Sequence, residues 1–375
     1  MQSTLQAPKT EDTDLTFAHI KERFRTKHVH RMHPYLGKFI PQLVEYFLRR
    51  YFKPGDTILD PFMGSGTTLV EASVLGMNSV GIDLSEFNCT ISRAKTSIAN
   101  VPSLEKEIKD VITKIDQFVS SNSYKLNRFS SRSEYLNKWY SERALQELLY
   151  FRSIIPNYEN QDILRVILSR AARSARQTPH YELDHPKTPV KAPYYCFKHR
   201  RMCQPVDEAA KFIIRYCYDA LVRVREYQSQ RKDVNVQIIH GDTREVNLDG
   251  RVDGIFTSPP YVGLIDYHEQ HRYAFELFGL SDLSEKEIGA LSKRNNGKSV
   301  EEYKLDMIRA LSNVSRFVKP NGLIFIVVND KNNIYPEIAA KSGLVIDNVF
   351  KRKVIRRTGL RSGEFSENVF VMKKC

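Results

Sequence analysis

Cysteine is sparse in this chain of 375 residues. The five, Cys89, Cys196, Cys203, Cys217 and Cys375, form none of the dense patterns that staple small secreted domains. No apolar run approaches the ~20 residues needed to span a bilayer, and Met1 to Asp14 holds no apolar core of the kind a signal peptide carries. These absences argue against a disulfide scaffold and a helical membrane protein, so the expectation is a soluble intracellular protein with no membrane partner. No repeat of fixed period is visible, which sets solenoids and propellers aside. Acidic residues are in deficit, 44 against 57 lysines and arginines, and the formal net charge of +13 favours a polyanionic partner. The length allows one large core and a second lobe.

What is present has α/β order. Leu43, Phe47 and Leu48, with Val44 and Phe52, recur at helical spacing and predict a helix over 40–52. Lys53-Pro54-Gly55-Asp56 is a turn by composition. A strand at 57–62, a glycine-rich turn, a helix at 66–76 and a strand at 79–83 make a strand–helix–strand unit, hence a parallel sheet with a right-handed crossover. The strand pattern then lapses and resumes at 236–240, 252–257 and 322–328, in continuous apolar runs typical of parallel strands buried on both faces. Segments 345–355 and 368–372 are expected to pair as an antiparallel edge hairpin. The prediction is an α/β fold: a doubly wound, Rossmann-like sheet built from residues 23–100 and 236–375. A flexible segment, 1–22, precedes it, and an inserted, mainly helical domain spans 101–235.

The insert carries helical patterns around Leu145, Leu148, Leu149 and Phe151, over 163–168 and over 212–224. It holds 24 basic against 16 acidic residues, so +8 of the total +13 lies in about a third of the chain. Arg165, Arg170, Arg173 and Arg176 recur at helical spacing, which suits phosphate contacts along one face. The rival reading is a solvated basic face.

Two motifs carry the chemistry. The first, Asp60-Pro61-Phe62-Met63-Gly64-Ser65-Gly66-Thr67-Thr68, closes the strand at 57–59. Its glycines let the backbone turn sharply and approach a ligand at the carboxyl edge of the sheet. Asp83 ends the next strand, where an acidic residue in doubly wound folds accepts from ribose hydroxyls. The turn lacks the lysine of a P-loop, so a phosphate site is the weaker reading. Asp242, after the strand at 236–240, is placed either to accept from an adenine amino group or to cap the segment that follows. The second motif is Ser258-Pro259-Pro260-Tyr261, at the end of the apolar run 252–257.

Together, Asp60 to Thr68 and Thr257 to Tyr261 resemble the signature motifs of the S-adenosylmethionine-dependent DNA amino-methyltransferases, the N4-cytosine and N6-adenine family. The stretch from His33 to Pro41 resembles the segment that packs beside the donor, and by analogy Phe39 lines its methionine end. The resemblance covers roughly residues 28–95 and 236–330 and does not reach the insert. Donor loop first and Ser-Pro-Pro-Tyr last is the less usual order for this local sequence style. The resemblance implies S-adenosyl-L-methionine as cofactor, held by Phe39, Asp60, Pro61, Phe62, Gly64, Ser65, Gly66, Thr67, Asp83 and Asp242. Double-stranded DNA is the implied substrate, and a cognate restriction endonuclease the implied partner.

The second motif suits an aromatic amine. Such a nitrogen is a poor nucleophile because its lone pair is delocalised, and acceptors gripping both N–H groups favour the pyramidal, reactive form. Ser258 hydroxyl and Pro259 carbonyl are the candidate acceptors, with Pro260 fixing the backbone and Tyr261 placed to stack on the base. Catalysis of this kind is mostly positioning and electrostatics, and a duplex base must be flipped out to reach it. Serine at the first position, where other members carry Asp or Asn, resembles the N4-cytosine branch. The alternatives are an N6-adenine enzyme, a tRNA amino-methyltransferase, and a catalytically silent DNA-binding subunit.

Weaker signals surround these. Asp266 to Tyr273, including His271 and Arg272, suits contact with base or phosphate as well as it suits the start of a helix with a polar face. Ser292 to Lys298 has loop composition, and the tail from Lys351 to Arg361 is strongly basic. Cys196, His199 and Cys203 offer three zinc ligands, with Cys217, His180 or His185 as a fourth. Their spacing departs from paired Cys-x-x-Cys motifs, so ordinary packing is the expectation and no metal is assigned.

Overall fold

A computed structural model describes residues 14–35, 37, 40–184, 186–261, 266–289, 297–354 and 365–375. Phe39, His185, residues 292–296 and residues 355–361 of the basic tail therefore lie outside the described residues.

Among the described residues nine strands form in chain order: β1 Thr57–Asp60, β2 Asn78–Asp83, β3 Tyr194–Cys196, β4 Arg201–Cys203, β5 Val236–His240, β6 Val252–Thr257, β7 Val318–Val328, β8 Leu344–Val354 and β9 Phe365–Lys374. Seven make one sheet in the order β5-β2-β1-β6-β7-β9-β8. The first five run parallel, while β9 lies antiparallel between β7 and β8. The doubly wound sheet and its antiparallel edge are those expected from the apolar runs. β3 and β4 pair separately as a short hairpin within residues 101–235.

Alternation along the central strands explains the two covered faces. Leu59, Ile255, Ile324 and Ile326 point into one apolar cluster, with Tyr303, Met307, Leu311 and Val314 of helix 297–315. Their neighbours Ile58, Phe256, Phe325 and Val327 point into the opposite one, against Leu43, Val44, Phe47 and Leu48 of helix 41–51. Leu15 and Phe17 are buried in that second cluster, and Arg352 Nε donates to Leu15 C=O at 2.9 Å. Within the segment expected to be flexible, residues 15 and 17 are thus anchored by apolar burial that a polar local composition conceals.

The helices are α1 Glu22–Arg25, α2 Pro41–Tyr51, α3 Thr67–Val74, α4 Glu86–Thr96, α5 Val101–Ser120, α6 Glu134–Trp139, α7 Glu142–Ile154, α8 Gln161–Ala175, α9 Ala210–Gln228, α10 Tyr267–Gln270, α11 Arg272–Phe278, α12 Gly297–Ser315 and α13 Tyr335–Lys341. Residues of α5 to α9 share one apolar cluster with Phe87 and Ile91 of α4 and with Tyr273 and Phe275 of α11. The helical segment is thereby built onto the helix layer that flanks the sheet. No helix among the described residues is long and apolar enough to cross a membrane.

Candidate active site

The carboxyl ends of β5, β2, β1 and β6 lie side by side, and the loops leaving them build a single cleft. Its walls include Phe62, Gly64, Ser65, Thr67, Asp83, Asp242, Ser258 and Pro260, and it encloses about 870 Å³ of solvent-open space. The cleft lies at the edge where doubly wound sheets bind ligands.

Asp60 joins the two motifs. It is 1 % exposed, and its Oδ1 accepts from Thr257 Oγ1 at 2.7 Å and from Phe62 N–H at 3.2 Å. Thr257 immediately precedes Ser258, so one carboxylate ties the donor loop to the Ser-Pro-Pro turn. Burial pushes the Asp60 pKa up to about 6, and the hydrogen bonds from Thr257 and Thr68 only partly offset it. Thr243 Oγ1 donates to Pro61 C=O and adds the loop after β5 to the same assembly.

Helix α4 holds the glycine loop from behind. Lys95, fully buried, donates from Nζ to Ser65 C=O at 2.8 Å, and Ser92 Oγ donates to Gly64 C=O at 3.1 Å. Gly66 has φ +74°, and a Cβ there would lie 2.8 Å from Ser92 Oγ and 3.3 Å from Ser92 Cα. At Gly64, φ is +48° and a Cβ would meet Tyr35 Oη at 2.9 Å. These glycines are required by backbone conformation and by packing against the protein itself, a reason distinct from ligand approach.

Asp83 is positioned by three donors: Gly64 N–H on Oδ2 at 2.8 Å, and Ser85 N–H (2.8 Å) and Asn88 Nδ2 (3.0 Å) on Oδ1. Burial raises its pKa to about 6. Asp242 also borders the cleft, where Arg244 Nη2 grips it at 2.6 Å and in turn pairs with Asp306 at 2.8 Å. Burial works to raise its pKa, but the hydrogen bonds and charge of Arg244 prevail and hold the carboxyl below its ordinary value.

Ser258 and Pro260 face the cleft, whereas Pro259 is buried and absent from its walls. The Pro260 carbonyl accepts from Tyr303 Oη at 2.9 Å, which sets the direction of the turn. Tyr261 leads away from the cleft. Its Oη donates to Glu367 Oε1 at 3.1 Å, and Glu367 is paired with buried Arg352 at 2.7 Å. In this arrangement the ring packs against the apolar cluster under the sheet, where the sequence had suggested a base-stacking surface.

Further wall residues come from stretches that the sequence marked without assigning individual roles to most of their side chains. Tyr35 stacks on Tyr267 (ring centroids 5.7 Å apart) and on His271 (5.4 Å), and its Oη accepts from Asn88 Nδ2 at 3.2 Å. His268 is 5 % exposed and bonds Glu287 through Nδ1, while its Nε2 accepts from Leu283 N–H at 3.2 Å. That acceptor role assigns the ring proton to Nδ1. Glu287 also accepts from Tyr267 and His268 N–H, at 3.3 and 2.9 Å, and so caps α10. The resemblance of His33 to Pro41 to a donor-packing segment signalled Tyr35, and the aromatic and polar density of 266–273 signalled Tyr267 and His268; Glu287 carried no signal.

The candidate phosphate contacts are mostly engaged within the protein. Arg165 pairs with Asp162 at 3.8 Å, Arg170 with Asp219, and Arg173 with Asp184. Arg176 is 3 % exposed, lies over the Tyr273 ring at 4.8 Å and donates to Leu183 C=O. His271 is buried, and burial pushes its pKa down to about 3. Arg272 is exposed and lies over the Tyr135 ring.

Residues 6–94 match the family model described as a DNA methylase of the N6/N4 type. The type II methyltransferase M.MjaII of Methanocaldococcus jannaschii is 38 % identical over an alignment covering 96 % of this chain and 83 % of that protein. The chain belongs to the N6/N4 DNA methylase family. M.BsoBI of Geobacillus stearothermophilus is 26 % identical over 74 % of this chain and 57 % of its own length. M.MvaI of Kocuria varians is 28 % identical over 39 % of this chain and 34 % of its own. Both are likewise type II methyltransferases.

Membership makes the protein an S-adenosylmethionine-dependent methyltransferase. The cleft fits that donor. Two buried polar atoms at its wall, Ser65 Oγ and Asn88 Oδ1, have no hydrogen-bond partner among the described residues. Buried polar atoms are otherwise almost always paired, so they suit a polar ligand.

Proposed function

We propose that this methylase transfers a methyl group to the exocyclic N4 amine of a flipped-out cytosine at a specific site in double-stranded DNA, as the modifying half of a restriction–modification pair. The observation that carries this reading is Ser258. It stands on the cleft wall across from the donor loop, and the Asp60–Thr257 bond fixes the separation of the two.

S-adenosylmethionine, when bound, supplies an electrophilic methyl group on a sulfonium. Phe62, Gly64, Ser65, Gly66, Thr67, Asp83 and Asp242 would hold it. Asp83 presents remaining lone pairs to ribose hydroxyls, and Asp242 can accept from the adenine amine beside its Arg244 bond. Ser258 Oγ, on the cleft wall, accepts from an amine hydrogen, so that the nitrogen lone pair is directed at the methyl carbon. As the N–C bond forms, the bond between methyl and the donor's sulfur would break with its electron pair passing to sulfur, leaving a neutral thioether, and the nitrogen would shed one proton to solvent. The proline pair removes two backbone N–H groups and holds the turn in one conformation, so little reorganisation accompanies the transfer. Residues 101–235, with their surplus of positive charge, are assigned to recognition of the target sequence.

Nucleoside mass spectrometry on DNA from cells expressing the chain, against an empty-vector control, tests the proposal. N4-methylcytosine supports it. N6-methyladenine would retain the mechanism and overturn the base. The absence of both, with methylated guanine in tRNA, would overturn DNA as substrate.

A further inference from the structure

A second constellation lies outside the cleft, on the β3–β4 hairpin. His180, Cys196, His199 and Cys203 each offer one ligand atom, and the four atoms lie within 4.8 Å of one another. We propose that these four side chains bind a structural zinc ion.

The geometry is that of a nearly closed tetrahedral site. Zinc–sulfur and zinc–nitrogen bonds of about 2.3 and 2.0 Å place tetrahedral ligand atoms about 3.3–3.8 Å apart. Cys203 Sγ and His199 Nδ1 already stand 3.5 Å apart. Closing the rest requires movements of an ångström or less. The turn between the strands is folded around the first ligand, since His199 N–H and Arg200 N–H both donate to Cys196 C=O, at 3.1 and 2.7 Å. His180 arrives from the segment after α8, and its ring lies 4.6 Å from that of His199. Its Nδ1 is held by Tyr194 Oη at 2.8 Å, leaving Nε2 for the metal. A ring nitrogen fixed by a hydroxyl on one side while the other binds metal is the usual outer support of a zinc histidine.

The hairpin also needs a cross-link. Its strands are three residues each, and the large side chains it carries face outward: Tyr195 is 49 %, Phe197 70 % and Met202 60 % exposed. A two-stranded hairpin with so little apolar burial is marginal by itself, and a metal bound by side chains supplies folding free energy directly. Both thiols are buried and free of disulfide. As thiolates they neutralise a divalent ion, so the site adds no charge beside Lys198, Arg200 and Arg201. The set differs from paired Cys-x-x-Cys motifs because its fourth ligand comes from sixteen residues before Cys196.

The test is metal analysis of the full-length chain, purified without chelator, by plasma mass spectrometry. It is paired with cobalt substitution and thiol titration, and none of these readouts depends on methylation. The expected result is about one zinc per chain and, with cobalt, the intense visible bands of a tetrahedral sulfur–nitrogen site. Cys203→Ser and His180→Ala should each reduce bound zinc to background. Tyr194→Phe should keep the stoichiometry but weaken affinity by about 10- to 100-fold. Should the cysteine variant fail to fold, chelator stripping and zinc re-addition on the parent chain decides, with stoichiometric rebinding expected. Metal-free parent protein whose Cys196 and Cys203 titrate as free thiols or form a disulfide would overturn the proposal. So would zinc retained in both ligand variants.

Discussion

Replacement of Asp60 by Asn should make the protein more stable and, at the same time, a poorer enzyme. The carboxyl is 1 % exposed and its pKa is raised from 3.8 to about 6, with burial the leading cause. An acid raised in the folded state binds its proton more readily there than in the unfolded chain. The stabilisation from this neutral form is complete below about pH 3.8 and is lost as pH climbs through about 6. Above that, the ionised group costs about 3 kcal/mol, at ~1.4 kcal/mol for each pH unit between its unfolded and folded values. At pH 5 the cost is about 1.5 kcal/mol. Asparagine mimics the neutral acid. Its Oδ1 can accept from Thr257 and Phe62, and its Nδ2 can donate to Thr68 Oγ1, whose single proton is then free for Phe256 C=O at 3.3 Å. Asp60→Asn should therefore exceed the parent by about 3 kcal/mol at pH 8 and about half of that at pH 5, measured by urea unfolding. Asp83 and Glu71, also raised by burial, titrate in both proteins; the difference between the two curves isolates residue 60. A variant less stable than the parent at pH 8, or a gap that does not widen from pH 5 to 8, would refute the reasoning. The expected loss of turnover follows from weakening the charge-assisted link between the two loops.

Ser258→Ala should lower kcat by about 10²- to 10³-fold, the cost of one lost transition-state hydrogen bond, while calorimetric affinity for the donor survives; near-normal turnover would exclude the assigned role. Tyr261→Phe should lower stability by about 1 kcal/mol through loss of the Glu367 hydrogen bond and, because the same hydroxyl bonds Ser258, lower kcat by less than Ser258→Ala does. An abolished kcat at unchanged stability would give the hydroxyl a direct role in the reaction. Gly66→Ala forces a side chain into the left-handed region and against Ser92, so unfolding should shift by about 2–4 kcal/mol. Ser92→Ala in the same chain should recover only the part due to the Oγ contact. Full recovery would show that φ carries no cost.

Much of the scaffold could be read from local sequence because its causes are local. The apolar runs at 236–240 and 252–257 coincide with β5 and β6, and the paired edge strands follow from their alternation. Other boundaries moved. The helix expected over 40–52 spans Pro41–Tyr51, and β7 begins at Val318, four residues before the apolar run. Helix α5 and the β3–β4 hairpin went unread, the first because its apolar stripe of Leu104, Ile108, Val111 and Ile115 is diluted by charge. The second is too short to show a period.

The sequence by itself determined where most of the apolar strands fall along the chain, the glycine turn after β1 and the rigid Ser-Pro-Pro turn after β6, since periodicity, left-handed glycines and proline φ act within a few residues. Only the tertiary structure decided the partners. It bonded Asp60 to Thr257 across almost two hundred residues, aimed Tyr261 at Glu367, and paired Arg170 and Arg173 with Asp219 and Asp184. It also carried His180 to the two cysteines of the hairpin. Hydrophobic pattern specifies which face of an element is buried, but not which distant polar group meets it. That is settled by topology, when each buried charge or donor must find a partner among the side chains the fold brings near.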